Sequence, residues 1–351
     1  MEFDQHLLNC YNFLVGWFSS MGVPLFVLDL LVMFVAGIAI IAVMALSVLF
    51  LVWWERKISA HIQDRLGPMR TGPHGVLQTL VDGLKLLQKE DTIPAAADKK
   101  VFFWSPVICF MAAYLAYIVI PFGKGLIARD LNVGILYIMA ITSFTIISLL
   151  MAGWSSNNKY ALLGGMRSAA QIVSYEVPLT FSVLGAVMLA GSLSMVDIVE
   201  AQGQYFWQWY WLPQIIGFVI YIIAATAEAN RTPFDLPEAE QELVAGFSIE
   251  YSGMKFAMFF LAEFANMFTV SAIATTLFLG GWQAPLPGLD IIPSWFWFIS
   301  KTLFLVFILM WFRWTYPRLR VDQLMGFAWK FLLPLAFLNI FLTTLGVYFT
   351  K

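Results

Sequence analysis

The sequence predicts an all-α polytopic membrane protein with about eight transmembrane helices and an amphipathic surface helix in its first cytoplasmic loop. Three observations carry that expectation. Of 351 residues, 60% are hydrophobic and only 12% are charged, against about 45–50% and about 25% in soluble domains. That is too little charge to cover a water-facing surface of this size. Apolar runs of about 18 residues or more, long enough to cross a bilayer, recur along the whole chain. Lys and Arg gather on alternate connections between those runs.

The runs cover residues 25–53, 102–121, 133–154, 172–193, 212–227, 254–280, 295–311 and 331–349. The fifth is short, while the first and sixth are long, so tilt or ends buried in protein are expected. Residues 1–24 contain no Lys or Arg and so lack the basic n-region of a cleaved signal peptide. They read as an interfacial extension anchored by Tyr11, Trp17 and Phe18. Residues 25–351 read as a single transmembrane domain with loops at about 54–101 and 228–253.

The first loop is too long for a turn. Val76, Leu77, Leu80, Val81, Leu84 and Leu87 recur in it at helical spacing, with Gln78, Thr79, Asp82, Lys85 and Lys89 opposite. That pattern fits a helix lying on the membrane surface, or one capping the bundle. Gly67-Pro68 and Gly72-Pro73 before it mark ordered turns. Of the 20 Lys and Arg residues, all but Lys124, Arg129, Lys301 and Lys351 fall in loops on one side. The positive-inside rule therefore places both termini outside and the odd-numbered loops on the cytoplasmic or matrix face, where the cations also meet phospholipid.

Several chemistries are excluded for this chain alone. The two cysteines, Cys10 and Cys109, are far apart, and the three histidines all lie outside the apolar runs. Iron–sulfur ligation and a bis-His haem inside the bundle thus lack ligands. No GxGxxG follows a strand-like segment, so there is no nicotinamide or flavin fold. A net charge of −2 gives no basic excess for nucleic acid.

Ionisable groups within spans are costly and by default face the bundle interior and act there. Glu176, Glu228 and Glu263 occupy such positions, all on the cytoplasmic half. The fifth loop adds Asp235, Glu238, Glu240, Glu242 and Glu250, with Arg231 the single cation among them. Buried, mutually repelling carboxylates keep protons near neutral pH and can pass them on. Plainer roles compete in the loop: Asp235-Leu236-Pro237-Glu238 fits a helix N-cap and capping box. Arg56, at the mouth of the first span, suits a polar headgroup, and aromatic stripes such as Phe256, Phe259 and Phe260 suit core or lipid contact.

Longer motifs now emerge. They include Trp54-Glu55-Arg56-Lys57, Arg65-x-Gly67-Pro68, Asp82-x-x-Lys85, and Gly165-x-Arg167-x-x-x-Gln171-x-x-Ser174-Tyr175-Glu176. Others are Glu228-x-Asn230-Arg231-Thr232-Pro233-Phe234-Asp235-Leu236-Pro237-Glu238-x-Glu240-x-Glu242-Leu243, Ala262-Glu263 and Tyr316-Pro317-Arg318. In order and spacing, from about residue 25 to the C-terminus, the chain resembles the H-type family of membrane subunits of NADH-quinone oxidoreductase, respiratory complex I.

The resemblance implies a subunit of a proton-translocating NADH:quinone oxidoreductase, in a bacterial or mitochondrial inner membrane. Quinone would be the substrate, with no metal or covalent cofactor in this chain and with FMN and iron–sulfur clusters in partner subunits. The partners implied are the terminal iron–sulfur-cluster subunit, the quinone-headgroup-binding peripheral subunit and small membrane-arm subunits, docked on the first and fifth loops. It implies Arg56, Asp82, Arg231 and Phe234 along the quinone passage. Glu176, Glu228 and Glu263 would form a proton path, coupled to quinone chemistry by Glu238, Glu240 and Glu242. The third span carries no acid, so a path through it would use Ser143, Thr145 or water. Competing readings are the membrane subunit of an energy-converting hydrogenase, a stand-alone ion transporter and a passive anchor.

Overall fold

The computed structural model describes residues 25–237, 240–289 and 291–350; the extension at 1–24 lies outside them. Every regular element among the described residues is helical. In order they are α1 (Leu25–Ile62), α2 (Gln78–Gln88), α3 (Lys99–Tyr117), α4 (Gly134–Ser155), α5 (Lys159–Ala190), α6 (Met195–Ala201) and α7 (Ile215–Glu228). There follow α8 (Glu240–Leu243), α9 (Gly253–Phe278), α10 (Ser294–Thr315), α11 (Val321–Phe327) and α12 (Leu333–Thr350).

Seven described helices are long and apolar enough to cross a membrane, α11 and α12 counting as one continuous span. The chain is an integral membrane protein of the polytopic all-α class. The fifth expected span is the short apolar helix α7, whose 14 residues rise only about 21 Å against a hydrocarbon core of about 30 Å. Protein groups complete that layer. Gln202 Nε2 donates to Thr276 O at 2.8 Å, Gln202 Oε1 accepts from Gly280 N at 2.9 Å, and Trp211 N donates to Phe278 O at 2.9 Å. Irregular backbone is tolerated where protein satisfies it.

Helix α1 differs from expectation at its end. It continues past Trp53 to Ile62, so Glu55, Arg56 and Lys57 are helical. No Gly or Pro interrupts the chain between Gly37 and Gly67, and Glu55 meets cations that offset its burial. The helix closes on Asp64 at φ 51°, with Arg65 N donating to Ala60 O at 2.9 Å. No helix begins directly after Asp235, and Glu238, the other half of the expected capping box, lies outside the described residues. Leu236 and Pro237 are not helical, and the Asp235 carboxylate pairs with Arg318 at 3.0 Å instead.

Close approach between spans comes from small and hydroxylated residues. Ser105 Oγ donates to Ser148 O at 2.7 Å and Ser148 Oγ to Ser105 O at 2.8 Å, stitching α3 to α4. A Cβ on Gly153 would lie 2.6 Å from Ala161 O, so α4 and α5 touch only because that position is glycine. Near α12, Pro334 offers no N–H to the Lys330 carbonyl, and the helix makes a π turn over Ala328–Leu332 just before it.

Helix α2 turns its polar side to the protein. Thr79 is buried, while Leu80, Val81, Leu84 and Leu87 are exposed. The contacts Arg313–Glu55, Lys255–Asp91 and Asp98 N–Ser155 O bring the C-terminal ends of α1, α4 and α10 and the N-terminal ends of α3 and α9 together at one end of the bundle.

Candidate functional site

The site is built at that end, where costly charges have been brought together. Arg231, just beyond α7, is 1% exposed. Its Nη1 donates to Glu55 Oε1 at 3.0 Å and to Oε2 at 2.9 Å, and its Nη2 lies 3.1 Å from Glu263 Oε1. The guanidinium rests 4.4 Å from the centre of the Phe264 ring, a cation–π contact that fixes its plane. Arg313 of α10 donates to Glu55 Oε1 at 2.6 Å. Two cations and two carboxylates thus alternate across α1, α9, α10 and the loop after α7. Burial of such groups is tolerated only with this degree of pairing.

Beside the network lies a cavity of about 210 Å³. Glu228, Glu263, Arg313, Asn266, Asn230, Ser248 and Thr145 supply its polar lining, and Phe256, Phe259 and Phe260 part of its apolar wall. The aromatic stripe of α9 therefore borders a polar chamber. Glu228, at the last turn of α7, is buried; it meets the Thr142 hydroxyl of α4 and feels the charge of Glu176. Glu176 in α5 accepts a hydrogen bond from Ser143 Oγ, also of α4. The acid-free third span thus presents adjacent hydroxyls to two carboxylates.

The loop after α7 is held from α5. Gln171 Nε2 donates to Ala227 O at 2.8 Å and Phe234 O at 2.7 Å, and reaches Asn230 Oδ1 at 3.2 Å. Asp235 is largely enclosed, and burial pushes its carboxyl up from its ordinary value against the opposing charges of Arg318, Arg313 and Arg231. Further along, Glu242 pairs with Arg167 at 2.5 Å. Glu238 lies outside the described residues, and only the backbone of Glu240 is described.

The four residues expected along a quinone passage separate. Arg56 donates to Asp82 Oδ2 at 2.6 Å, and Gln78 Nε2 donates to Asp82 Oδ1 at 3.0 Å, joining α1 to α2 at a half-exposed surface. Phe234 packs against Tyr175 at 5.3 Å and lines a second, mainly apolar cavity of about 540 Å³ with Phe312, Tyr316 and Phe327. Arg231 lines neither cavity; it sits among carboxylates. Sequence reasoning also missed the roles of Glu55 and Arg313. The one signal for them was that Glu55 lies immediately beyond an apolar run, where an unpaired acid would be costly. Among the described residues no group of three or more His, Cys, Asp or Glu is placed to hold a metal ion.

The profile of the family described as NADH dehydrogenase matches residues 35–344. Among known proteins, the chain is similar to the H-type subunit of NADH-quinone oxidoreductase from Carboxydothermus hydrogenoformans, 49% identical over 95% of this chain and 94% of that protein. It is 54% identical to the protein of the same name from Dehalococcoides mccartyi, over 86% of this chain and 83% of the relative. For that of Chlorobium luteolum the identity is 48%, over 97% and 95%.

Proposed function

The chain belongs to the NADH dehydrogenase family, and from that premise we propose that it is the quinone-chamber and proton-coupling membrane subunit of a respiratory NADH-quinone oxidoreductase, complex I. The observation that carries the reading is the cavity into which Glu228 and Glu263 both open, backed by the Glu55–Arg231–Arg313 network. Electrons come from an iron–sulfur cluster in a partner subunit. This chain supplies part of the quinone's route and the groups that answer the charge it acquires.

The route begins where Arg56 and Asp82 join α1 to α2, beside the exposed apolar side of α2. Quinone reduction takes up two electrons and two protons per molecule. Negative charge developing near the loop between α7 and α9 acts on a site of low dielectric, where fixed charges respond strongly. Glu263, Glu228 and Glu176 then exchange protons in turn, with Ser143 and Thr142 as the hydroxyls between the last two. Glu238, Glu240 and Glu242 in the loop link quinone chemistry to that path. The loops at the inner end face the cytoplasm or matrix and dock the subunits that bind the quinone headgroup and carry the clusters; both termini lie on the opposite side.

The test is Glu263→Gln in the assembled complex, with NADH-driven quinone reduction and proton translocation measured in sealed vesicles. The reading expects translocation to fall while the complex still assembles. Normal translocation in an assembled variant removes Glu263 from the path.

A further inference from the structure

The cavity accounts for Glu263 and Arg313, which line it, but not for Glu55 and Arg231, which stand behind its wall. We infer that Glu55 is a positioning residue for Glu263, acting through Arg231. The inference rests on the proton-coupling reading above and adds to it a residue that contributes to neither cavity.

The geometry is a chain of four groups. Arg313 Nη1 meets Glu55 Oε1 at 2.6 Å, Arg231 Nη1 spans both Glu55 oxygens at 3.0 and 2.9 Å, and Arg231 Nη2 reaches Glu263 Oε1 at 3.1 Å. One guanidinium is therefore divided between two carboxylates on different helices. Its planar fork fits such two-sided pairing, which an ammonium group does not offer. The Phe264 ring beneath it limits rotation, so the share given to Glu263 depends on the charge and position of Glu55. With Glu55 neutral, both arginines lose that partner and Arg231 pairs with Glu263 alone. With Glu55 charged, the pull on Glu263 is divided.

The adjoining residue gives this arrangement an input. Arg56 follows Glu55 on α1 and reaches Asp82 of α2, at the surface where the substrate's route was placed. A disturbance of the Arg56–Asp82 pair is transmitted along one helix to the adjacent Glu55, and from there through Arg231 to Glu263. The segment that reads as the start of a loop in the sequence is helical, which makes that transmission stiff.

The test is a double-mutant cycle in membranes holding the whole complex, with Glu55→Gln, Glu263→Gln and the double variant. Coupled NADH-driven quinone reduction is measured, and NADH oxidation by ferricyanide serves as the control for assembly of the peripheral subunits. Glu55→Gln is expected to lower coupled turnover by roughly tenfold, with the ferricyanide rate retained. Glu55→Asp, which keeps the charge, is expected to recover most of that loss. The double variant should be no worse than Glu263→Gln alone, because both act through one element. Multiplying effects in the double variant would overturn the positioning role, as would failure of Glu55→Asp to recover turnover in a complex that assembles. If Glu55→Gln does not assemble, the cycle is run with Arg231→Lys against Glu263→Gln and is judged by the same non-additivity. Full activity in Glu263→Gln itself instead removes Glu263 from the proton path on which this inference rests, a different outcome from independence of the two sites.

Discussion

Arg231 lies 176 residues from Glu55 in sequence and 2.9 Å from it in the fold. That contact decides how this end of the bundle is held, because the same guanidinium also meets Glu263. Arg231→Ala leaves the buried Glu55 and the largely enclosed Glu263 without their shared cation. Breaking a buried pair from one side costs about 3–5 kcal/mol, so assembled complex should drop sharply. Arg231→Lys keeps the charge but cannot fork to both acids, and should assemble better while staying impaired in turnover. Quantifying the complex by native gel alongside its activity separates the two.

Ser143 Oγ donates to Glu176. Ser143→Ala removes that donor, with a stability cost of about 1 kcal/mol, too small to prevent assembly. If protons cross between α4 and α5 there, translocation should fall several-fold while NADH oxidation by an artificial acceptor stays normal. Unaltered translocation would remove the hydroxyl from the route.

The Arg56–Asp82 pair is partly solvent-exposed, with 43% and 34% of the side chains accessible. Exposed pairs contribute below about 1 kcal/mol, so Arg56→Ala should leave the complex intact. Its effect should appear in the KM for quinone, which should rise, and in a lowered kcat transmitted through Glu55 and Arg231 to Glu263. A thermal midpoint lowered by many degrees with KM unchanged would make the pair structural.

The Asp235 carboxyl is pushed up by burial, despite Arg318 at 3.0 Å. Its folded-state value lies above its unfolded one, so the folded loop binds the extra proton between the two. The loop is thus steadiest at acid pH and loses stability as pH rises through that window, becoming level above it. Hydrogen exchange at Leu319, whose amide donates to Pro233 O at 3.1 Å, should quicken over this range after correction for intrinsic rates. Asp235→Asn should abolish that pH dependence.

Much of the fold was legible in sequence because lipid imposes a coarse rule, one apolar run per span, and the runs at 133–154 and 254–280 agree closely with α4 and α9. The deep acids were legible for the same reason: few charges lie in the runs, so Glu176 and Glu263 stand out. Pairing was not. Glu55 meets Arg313 across 258 positions, and no local pattern encodes a contact at that separation. The helical continuation through Glu55-Arg56-Lys57 was hidden because a run of charge after an apolar stretch looks like solvent. It is stabilised by partners that only the tertiary fold supplies. Helix α2 was legible as amphipathic, whereas the side it turns to the bundle followed from Thr79 and Asp82, not from its leucines.

Glu228 and Glu263 open into one cavity, which the proposed coupling makes a single proton-handling chamber. The most direct measurement is proton translocation per quinone reduced, in sealed vesicles containing the Glu228→Gln complex. Removing a positioned acid–base group should lower proton translocation by about tenfold or more, with the complex assembled and NADH oxidation by ferricyanide unchanged. A Glu228→Gln complex that reduces quinone at the unmodified rate and moves as many protons for each quinone contradicts the account.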